Sequence, residues 1–216
     1  LHARAPLHAQ GSVPLRVTAV AAASRGPALG LLEVATIARG VVVADAALKR
    51  SPALLLHSRA VSGGKHVIVL EGGVAEVDEA VAAGRLAARD QLLAWLLLPQ
   101  ADVQVWPMLG APVAGPDWSG DDAAEAVAIV ESQLVCGAIA AADAACKVAE
   151  VVVRDVRLAV DLAGKGYFTL TGSLGAIEAA AAAAAAAVDG TGTVGALAAL
   201  EVIAQPAPDL RGRLFR

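Results

Sequence analysis

The sequence is poor in aromatic residues, in cysteine and in basic charge, and each shortage argues against a class of protein. Aromatic side chains make up only 3% of the 216 residues, so few large anchors are available for a thick core. The two cysteines, Cys136 and Cys146, are too few for a disulfide framework, which favours a reducing compartment. The formal net charge of −4 gives no support to a nucleic-acid-binding face.

Long apolar runs are also missing, although 57% of the residues are hydrophobic. The longest stretch without a charged side chain runs from Val103 to Pro116 and contains three prolines. A membrane-spanning helix needs about 20 consecutive apolar residues, so no segment is predicted to cross a membrane. A chain this rich in alanine and other apolar residues is expected instead to bury surface against further copies of itself.

The first 28 residues differ in composition from the rest of the chain. They contain three arginines and three prolines but no acidic residue. A basic, acid-free start is found in transit peptides, whereas the apolar core of a secretory signal is missing here. We interpret residues 1–28 as a flexible N-terminal extension.

The spacing of apolar residues predicts an α/β fold in which the same order of elements occurs twice. Predicted strands are 29–36, 53–58, 66–70, 126–131, 151–160, 165–171 and 195–203, and predicted helices are 41–50, 74–89, 136–148 and 173–188. The apolar segment 92–98 either continues a helix or forms a short strand. The stretch 103–122, rich in proline and glycine, predicts a linker. We predict domains at 29–110 and 125–216 with a linker at 111–124.

An internal repeat supports this division. Matched positions lie 98 residues apart in the first part of each half and 100 apart after a two-residue insertion. The matches are Glu33 with Glu131, segment 44–49 with 142–147, Arg59 with Arg157, and Gly64-Lys65 with Gly164-Lys165. The chain therefore contains two homologous β-α-β-β-α-β units.

The duplicated motifs resemble the bacterial microcompartment shell domain, which has a Glu-containing first strand, a helix of the form A-A-D-A-x-x-K and a Gly-rich loop after the second strand. The matching segments are 29–33, 44–49, 62–64 and 71–74 in the first half and 129–131, 141–147, 162–164 and 171–174 in the second. The resemblance covers Leu29 to Phe215. Two copies in one chain resemble the tandem-domain subclass.

The resemblance implies two ferredoxin-like α+β domains, each with a four-stranded, partly antiparallel sheet covered by helices. Proteins of this subclass form homotrimers that imitate hexamers, and two trimers can stack. They are flat facet tiles of a protein shell in the bacterial cytoplasm. Their partners are other shell proteins, both hexamers and pentamers.

The resemblance also implies a central pore for small metabolites, lined by the loop after the second strand of each domain. Carried over by position, the pore-lining residues are Ser62, Gly63, Gly64, Asp161, Leu162, Ala163 and Gly164. Three copies of Asp161 near an axis would attract cations, but Lys65 and Lys165 lie just behind, so the sign of the pore potential stays open. The longer second loop suggests a pore that opens and closes.

Lys49 and Lys147 match the family's edge lysine, whose stem lies across its symmetry mate where tiles meet. Each follows an aspartate by four residues, Asp45 and Asp143, in the order that favours an ion pair on a helix. The alternative is an ordinary solvated pair on a helix surface. Because both halves retain the two residues, we expect contacts at the tile edge.

Motifs for catalysis and cofactors are weak in this sequence, and we predict no enzyme activity, no metal and no cofactor. Residues 190–195 spell G-x-G-x-x-G but follow a predicted helix and precede a strand, so they are interpreted as a connector. Cys136 and Cys146 lie about 15 Å apart on one predicted helix and cannot share a metal. His57 and His66 flank the first pore loop without ligand partners.

Some relatives carry an iron–sulfur cluster on a pore-loop cysteine, and neither loop here has one. A second class of function remains open at this point, a small α/β ligand-binding or regulatory oligomer. A shell tile would assemble laterally into sheets through Lys49 and Lys147. A regulator would form a discrete oligomer that responds to a specific ligand.

Overall fold

The computed structural model describes residues 26–110, 125–159, 162–189 and 194–211. The first domain contains β1 (Ala28–Val34), α1 (Ile37–Arg50), β2 (Leu54–Ala60), β3 (His66–Gly72), α2 (Val74–Ala88), β4 (Leu92–Leu98) and a short helix α3 (Val105–Gly110). The second contains β5 (Ala126–Ser132), α4 (Val135–Val148), β6 (Val152–Leu158), β7 (Gly166–Gly172), α5 (Leu174–Asp189), β8 (Leu197–Ala204) and α6 (Pro208–Arg211).

The described residues form two four-stranded sheets of identical topology, with strand orders β2-β3-β1-β4 and β6-β7-β5-β8. All neighbouring strands pair antiparallel. The repeated α/β organisation predicted from the sequence is confirmed. Strand β1, in the centre of the first sheet, is covered on both faces, and every one of its residues is buried.

Helices α1 and α2 cover one face of the first sheet. Their apolar residues join a cluster with the alternating side chains of β1 that point to this face, among them Leu32. Gly30 allows α2 to approach closely, because a Cβ there would lie 2.7 Å from side-chain carbons of Val77 and Val81. We call the opposite face, which carries Leu29, Leu31 and Glu33, the outer face of the sheet.

Helix α4 lies between the two domains and joins them into one core. It contacts β5 and β7 of its own sheet and also β1 and β4 of the first domain. Ten of its fourteen residues are buried, and they share a cluster with Leu31 and Leu96 of the first sheet. We call this contact between α4 and the outer face of the first sheet the interdomain seam.

Most predicted elements are confirmed to within a few residues, with three differences. Helix α1 begins at Ile37 rather than at 41, because Gly40 fits beside the His66 ring within the helix. The ambiguous segment 92–98 is strand β4. The stretch 103–122, predicted as a linker, contains the short helix α3 in its first part, with Pro107 in the first turn, a position that needs no intrahelical N–H bond. Residues 111–124 and 1–25 lie outside the described residues.

Candidate functional site

The two loops predicted to line a pore are both tight turns that use left-handed backbone. In the first, Gly63 and Gly64 have φ of 80° and 73°. In the second, Ala163 and Gly164 have φ of 51° and 85°. Equivalent hydrogen bonds close the turns, from Val61 N to Lys65 O at 2.9 Å and from Ala159 N to Lys165 O at 2.8 Å. The two loops thus begin and end with equivalent hydrogen bonds, although the second loop is two residues longer.

The loops of the two domains touch within one chain. Lys65 Nζ donates a hydrogen bond to Gly164 O at 3.0 Å. A Cβ on Gly164 would lie 2.8 Å from Ser62 O and 2.4 Å from Lys65 Cε, so only glycine permits this approach. The predicted residues Ser62, Gly63, Gly64, Leu162, Ala163 and Gly164 therefore lie on two adjoining turns. Asp161 lies outside the described residues.

Behind these loops a buried carboxylate holds the interdomain seam together. Glu33 is fully buried, and its Oε1 accepts a hydrogen bond from Lys65 Nζ at 2.9 Å. Its Oε2 accepts from the backbone N–H groups of Val135 at 2.9 Å and Cys136 at 3.5 Å. Glu33 of the first domain thereby caps the first turn of α4 in the second domain, where the helix dipole favours a negative charge.

Desolvation and ion pairing shift the pKa of Glu33 in opposite directions. Burial raises the pKa of Glu33 above its ordinary value, while Lys65 and the N–H groups of α4 lower it in part. Since one oxygen faces the ammonium group and the other faces two N–H donors, the carboxylate has partners for both oxygens. The positive charge of Lys65, which lies beside the predicted pore loop, is therefore paired with a buried acid.

The second domain contains the same two residues in a different setting. Lys165 Nζ lies 3.8 Å from Glu131 Oε2, and the two side chains are 43% and 41% exposed. Lys65 and Glu33 are 13% and 0% exposed. The sequence analysis aligned the two Glu–Lys pairs but did not predict that Glu33 and Lys65 lie at the contact between the domains. The signal that could have indicated a role was the presence of both residues in both halves.

The Asp-x-x-x-Lys motifs form an ion pair in each domain. Lys49 Nζ lies 2.7 Å from Asp45 Oδ2, and both side chains are exposed. Lys147 Nζ lies 2.6 Å from Asp143 Oδ2, but Asp143 is buried in the interdomain seam, where its Oδ1 accepts the N–H of Asp102 at 2.8 Å. The geometry confirms the pairs, while the contact with other tiles stays a prediction.

The two histidines beside the first loop make local contacts. His57 Nε2 lies 2.5 Å from Leu109 O of α3. His66 is buried, its Nε2 lies 2.8 Å from Ser58 Oγ, and burial lowers its pKa. These contacts give both side chains structural roles in the first domain.

The two cysteines lie on α4. Cys136 is buried and Cys146 is partly buried. Burial raises the pKa of the Cys136 thiol well above its ordinary value and that of Cys146 to about 12. Both thiols are therefore protonated at neutral pH, which makes them poor nucleophiles.

The predicted connector at 190–195 lies between α5 and β8, although its first four residues fall outside the described part.

The described residues also bear on metal binding and on membrane insertion. Within 26–110, 125–159, 162–189 and 194–211, no three His, Cys, Asp or Glu side chains are grouped so as to hold a metal ion. In the same ranges no helix has the length and apolar character needed to cross a membrane.

Comparison with known proteins agrees with the repeated architecture. The BMC domain family matches the chain twice, at residues 28–101 and 126–206. The chain is 35% identical over 147 residues to bacterial microcompartment shell protein PduT of Citrobacter freundii, covering 68% of this chain and 77% of that protein. A crystal structure of a microcompartments protein from Desulfitobacterium hafniense DCB superimposes with a TM-score of 0.67 at 31% identity, covering 85% of this chain and 97% of that one. With its fold duplicated in sequence and in structure, the chain belongs to the BMC domain family as a tandem-domain structural protein of the microcompartment shell.

Proposed function

We propose that the chain forms a homotrimeric, pseudohexagonal facet tile whose central pore passes small metabolites. The observation that carries this proposal is the contact between the two loops, in which Lys65 Nζ bonds to Gly164 O. A threefold axis beside that contact would arrange six such loops, alternating between the two domains, around one hole. Because the turns use glycine at close approach, the rim of the hole consists largely of backbone and small side chains.

The charge of the pore then depends on Asp161. Lys65 is paired with Glu33 and Lys165 with Glu131, so neither lysine is left to offset an acid on the rim. Three copies of Asp161 would favour cations over anions in the hole. We propose further that the longer second loop is the element whose movement opens and closes the pore.

The native mass tests the trimer. Sedimentation at moderate salt, which suppresses lateral association, is expected to give three times the 21.5 kDa chain mass, or six times for a stacked pair of trimers. A stable monomer would contradict the tile and remove the pore. A discrete oligomer of another size whose thermal stability rises with a specific small molecule would favour a ligand-binding regulator instead.

The edge proposal concerns Lys49 and Lys147, with Asp45 and Asp143 fixing their stems through the ion pairs. We propose that these lysines contact neighbouring tiles, including hexameric and pentameric shell proteins in the bacterial cytoplasm. Lys49→Ala with Lys147→Ala is expected to abolish extended sheets in electron micrographs while the trimer mass is retained. Arg50→Ala, which removes an exposed cation paired with Glu79 on the same domain, is the control and should leave sheets intact.

We propose no catalytic role for the chain. Both thiols are protonated at neutral pH, and the buried acid Glu33 is held by Lys65 and by the first turn of α4. The proposed charge of the pore can be tested by the passage of charged dyes. Asp161→Asn in assembled shells is expected to slow the entry of a small cationic dye relative to an anionic one of equal size, and an unchanged ratio would contradict the proposed role of Asp161.

A further inference from the structure

Lys65 carries its positive charge between the two loops that meet within the chain. Its Nζ donates to Glu33 Oε1 at 2.9 Å and to Gly164 O at 3.0 Å, so the ammonium group joins the buried acid to the second loop. The side chain of Lys65 also runs beside the first loop, because a Cβ on Gly63 would lie 3.7 Å from Lys65 Cε. The ammonium group is therefore beside both loops, and the carboxylate of Glu33 balances its charge there.

The two oxygens of Glu33 have partners of different mobility. Oε2 accepts from the backbone N–H groups of Val135 and Cys136, which the first turn of α4 holds in place. Oε1 accepts from Lys65, a flexible side chain. A proton is therefore accommodated on Oε1, because an O–H on Oε2 would point at two fixed donors. Once Oε1 is protonated, Glu33 has no charge to pair with Lys65, and its O–H competes for the position of the ammonium group.

The surroundings of Glu33 make this protonation accessible. Burial raises the pKa of Glu33 above its ordinary value, and Lys65 and the N–H groups of α4 lower it only in part. As the pH falls, Glu33 therefore loses its charge at a higher pH than an exposed glutamate does. The thiol of Cys136 lies next to it on α4 and is uncharged, because burial raises its pKa well above the ordinary value.

The other elements around Glu33 add no group that titrates in the same range. Its neighbours on β3 and β4 are Val67 and Ala94, which are uncharged. Arg59 on β2 lies across Val67 in the strand register, is exposed and carries a permanent charge. Lys165, which follows Gly164 in the second loop, is paired with the acid of its own domain. The charge balance at Lys65 therefore depends on Glu33.

We infer that protonation of Glu33 exposes the charge of Lys65 at the pore rim and shifts the pore toward anions at acidic pH, an inference that rests on the proposed function. At neutral pH the carboxylate balances the ammonium group. At acidic pH Lys65 keeps its charge and loses its acid, while its Nζ still lies beside the carbonyl group of Gly164. A trimer then gains three uncompensated positive charges around one hole.

Chemical labelling tests the release of Lys65 without requiring a pore. Glu33→Gln imitates the protonated acid, because its amide oxygen can accept from α4 while its NH₂ group faces Lys65. Acetic anhydride at pH 8 is expected to acetylate Lys65 about tenfold faster in this variant than in the wild type, which corresponds to about 1.4 kcal/mol less protection. Mass spectrometry of peptides gives the rates, and Lys49, which is exposed, is the internal reference.

The matched control is Glu79→Gln, which removes the acid of the exposed pair with Arg50. It is expected to change the labelling rate of Lys65 less than about twofold, because exposed pairs contribute little. Circular dichroism checks that both variants are folded. A folded Glu33→Gln variant in which Lys65 reacts no faster than in the wild type overturns the release of Lys65.

Dye entry into assembled shells tests the effect on the pore and needs no substitution in its first step. In the wild type, the ratio of anionic to cationic dye entry is expected to rise about tenfold between pH 8 and pH 5. In Glu33→Gln the ratio is expected to be high at both pH values, and in folded Lys65→Met to be low at both. Asp161→Asn is expected to retain the rise, because a carboxylate of ordinary pKa stays largely charged at pH 5.

The outcomes separate this inference from the proposed function. A wild-type monomer overturns the pore and the charge switch together. A wild-type trimer whose dye ratio is equal at pH 8 and pH 5 overturns the charge switch alone. A rise that persists in Lys65→Met shows that another group titrates and has the same consequence. A rise that disappears in Asp161→Asn assigns the pH dependence to Asp161 and also overturns the role of Glu33.

Discussion

The two domains share a strand order and two loop geometries but differ in what covers their first helix. Helix α4 is packed on both sides, whereas α1 is packed on one side and exposed on the other. The residues follow this difference. The buried helix carries small residues over most of its surface, while α1 combines a narrow buried stripe with exposed valines. Because the two domains share one fold, the greater exposure of α1 marks the place where we expect a further surface to cover the first domain.

The two halves also pack the same helix–strand contact with different residues. In the first domain Gly40 faces the His66 ring, and a Cβ on Gly40 would lie 2.3 Å from the Cβ of His66. In the second domain the equivalent positions are Ala138 and Gly166, and a Cβ on Gly166 would lie 2.8 Å from the Cβ of Ala138. The large and small residues have exchanged places across the helix–strand contact. Close packing therefore limits the combined size of the two side chains in each contact rather than the size of either one alone.

The largest effect is expected from breaking the ionic part of the interdomain seam. Lys65→Met leaves the buried Glu33 without its cation, and we expect the free energy of unfolding to fall by about 3–5 kcal/mol. Lys165→Met is expected to cost less than about 1 kcal/mol because that pair is exposed within the chain. Urea unfolding of both variants gives the comparison. Equal losses would contradict the difference in burial between the two domains.

An intermediate effect is expected from exchanging the packing pairs. Gly40→Ala places a methyl group against His66, and overpacking of this kind costs about 1–3 kcal/mol of the free energy of unfolding. The double variant Gly40→Ala with His66→Gly copies the second domain and is expected to recover part of that loss. Thermal unfolding of the single and double variants measures the coupling. Additive losses would show that the two positions do not compensate each other.

The smallest effect is expected at Tyr167, whose counterpart in the first domain is the non-titrating Val67. Burial and the hydrogen bond that Tyr167 donates to Asp155 raise the pKa of Tyr167 to about 12 from 10.0. A raised pKa stabilises the fold below pH 10, and this contribution is lost as the pH rises from 10 to about 12. The stability advantage of the wild type over Tyr167→Phe is therefore expected to shrink across that range. A constant difference in unfolding midpoint would exclude the shift.

Much of the fold was predictable because each sequence motif occurs once in each half of the chain. Element order, the two Gly-rich turns and both Asp–Lys pairs follow from spacing within a single domain. Segment 92–98 was ambiguous because its outer residues are covered by α4, which removes the alternation expected of a half-exposed strand. The start of α1 was missed because Gly40 signals a break unless its contact with His66 is known.

The function of the seam residues was not predictable in the same way. Lys65 lies beside a turn and looks like a pore residue, but its partner Glu33 is 32 residues away and the helix that Glu33 caps begins 102 residues away. Local spacing carries no information about contacts of that length. The roles of the pore loops and edge lysines remain predictions, since they depend on neighbouring chains.

The position of α4 between two sheets has a consequence for how a ring would assemble. In a ring of six such domains, every second seam is already made within a chain, where the tether keeps the local concentration of the two faces high. Only the seams between chains depend on protein concentration and lose translational entropy. Duplication therefore halves the number of seams that must form between separate chains.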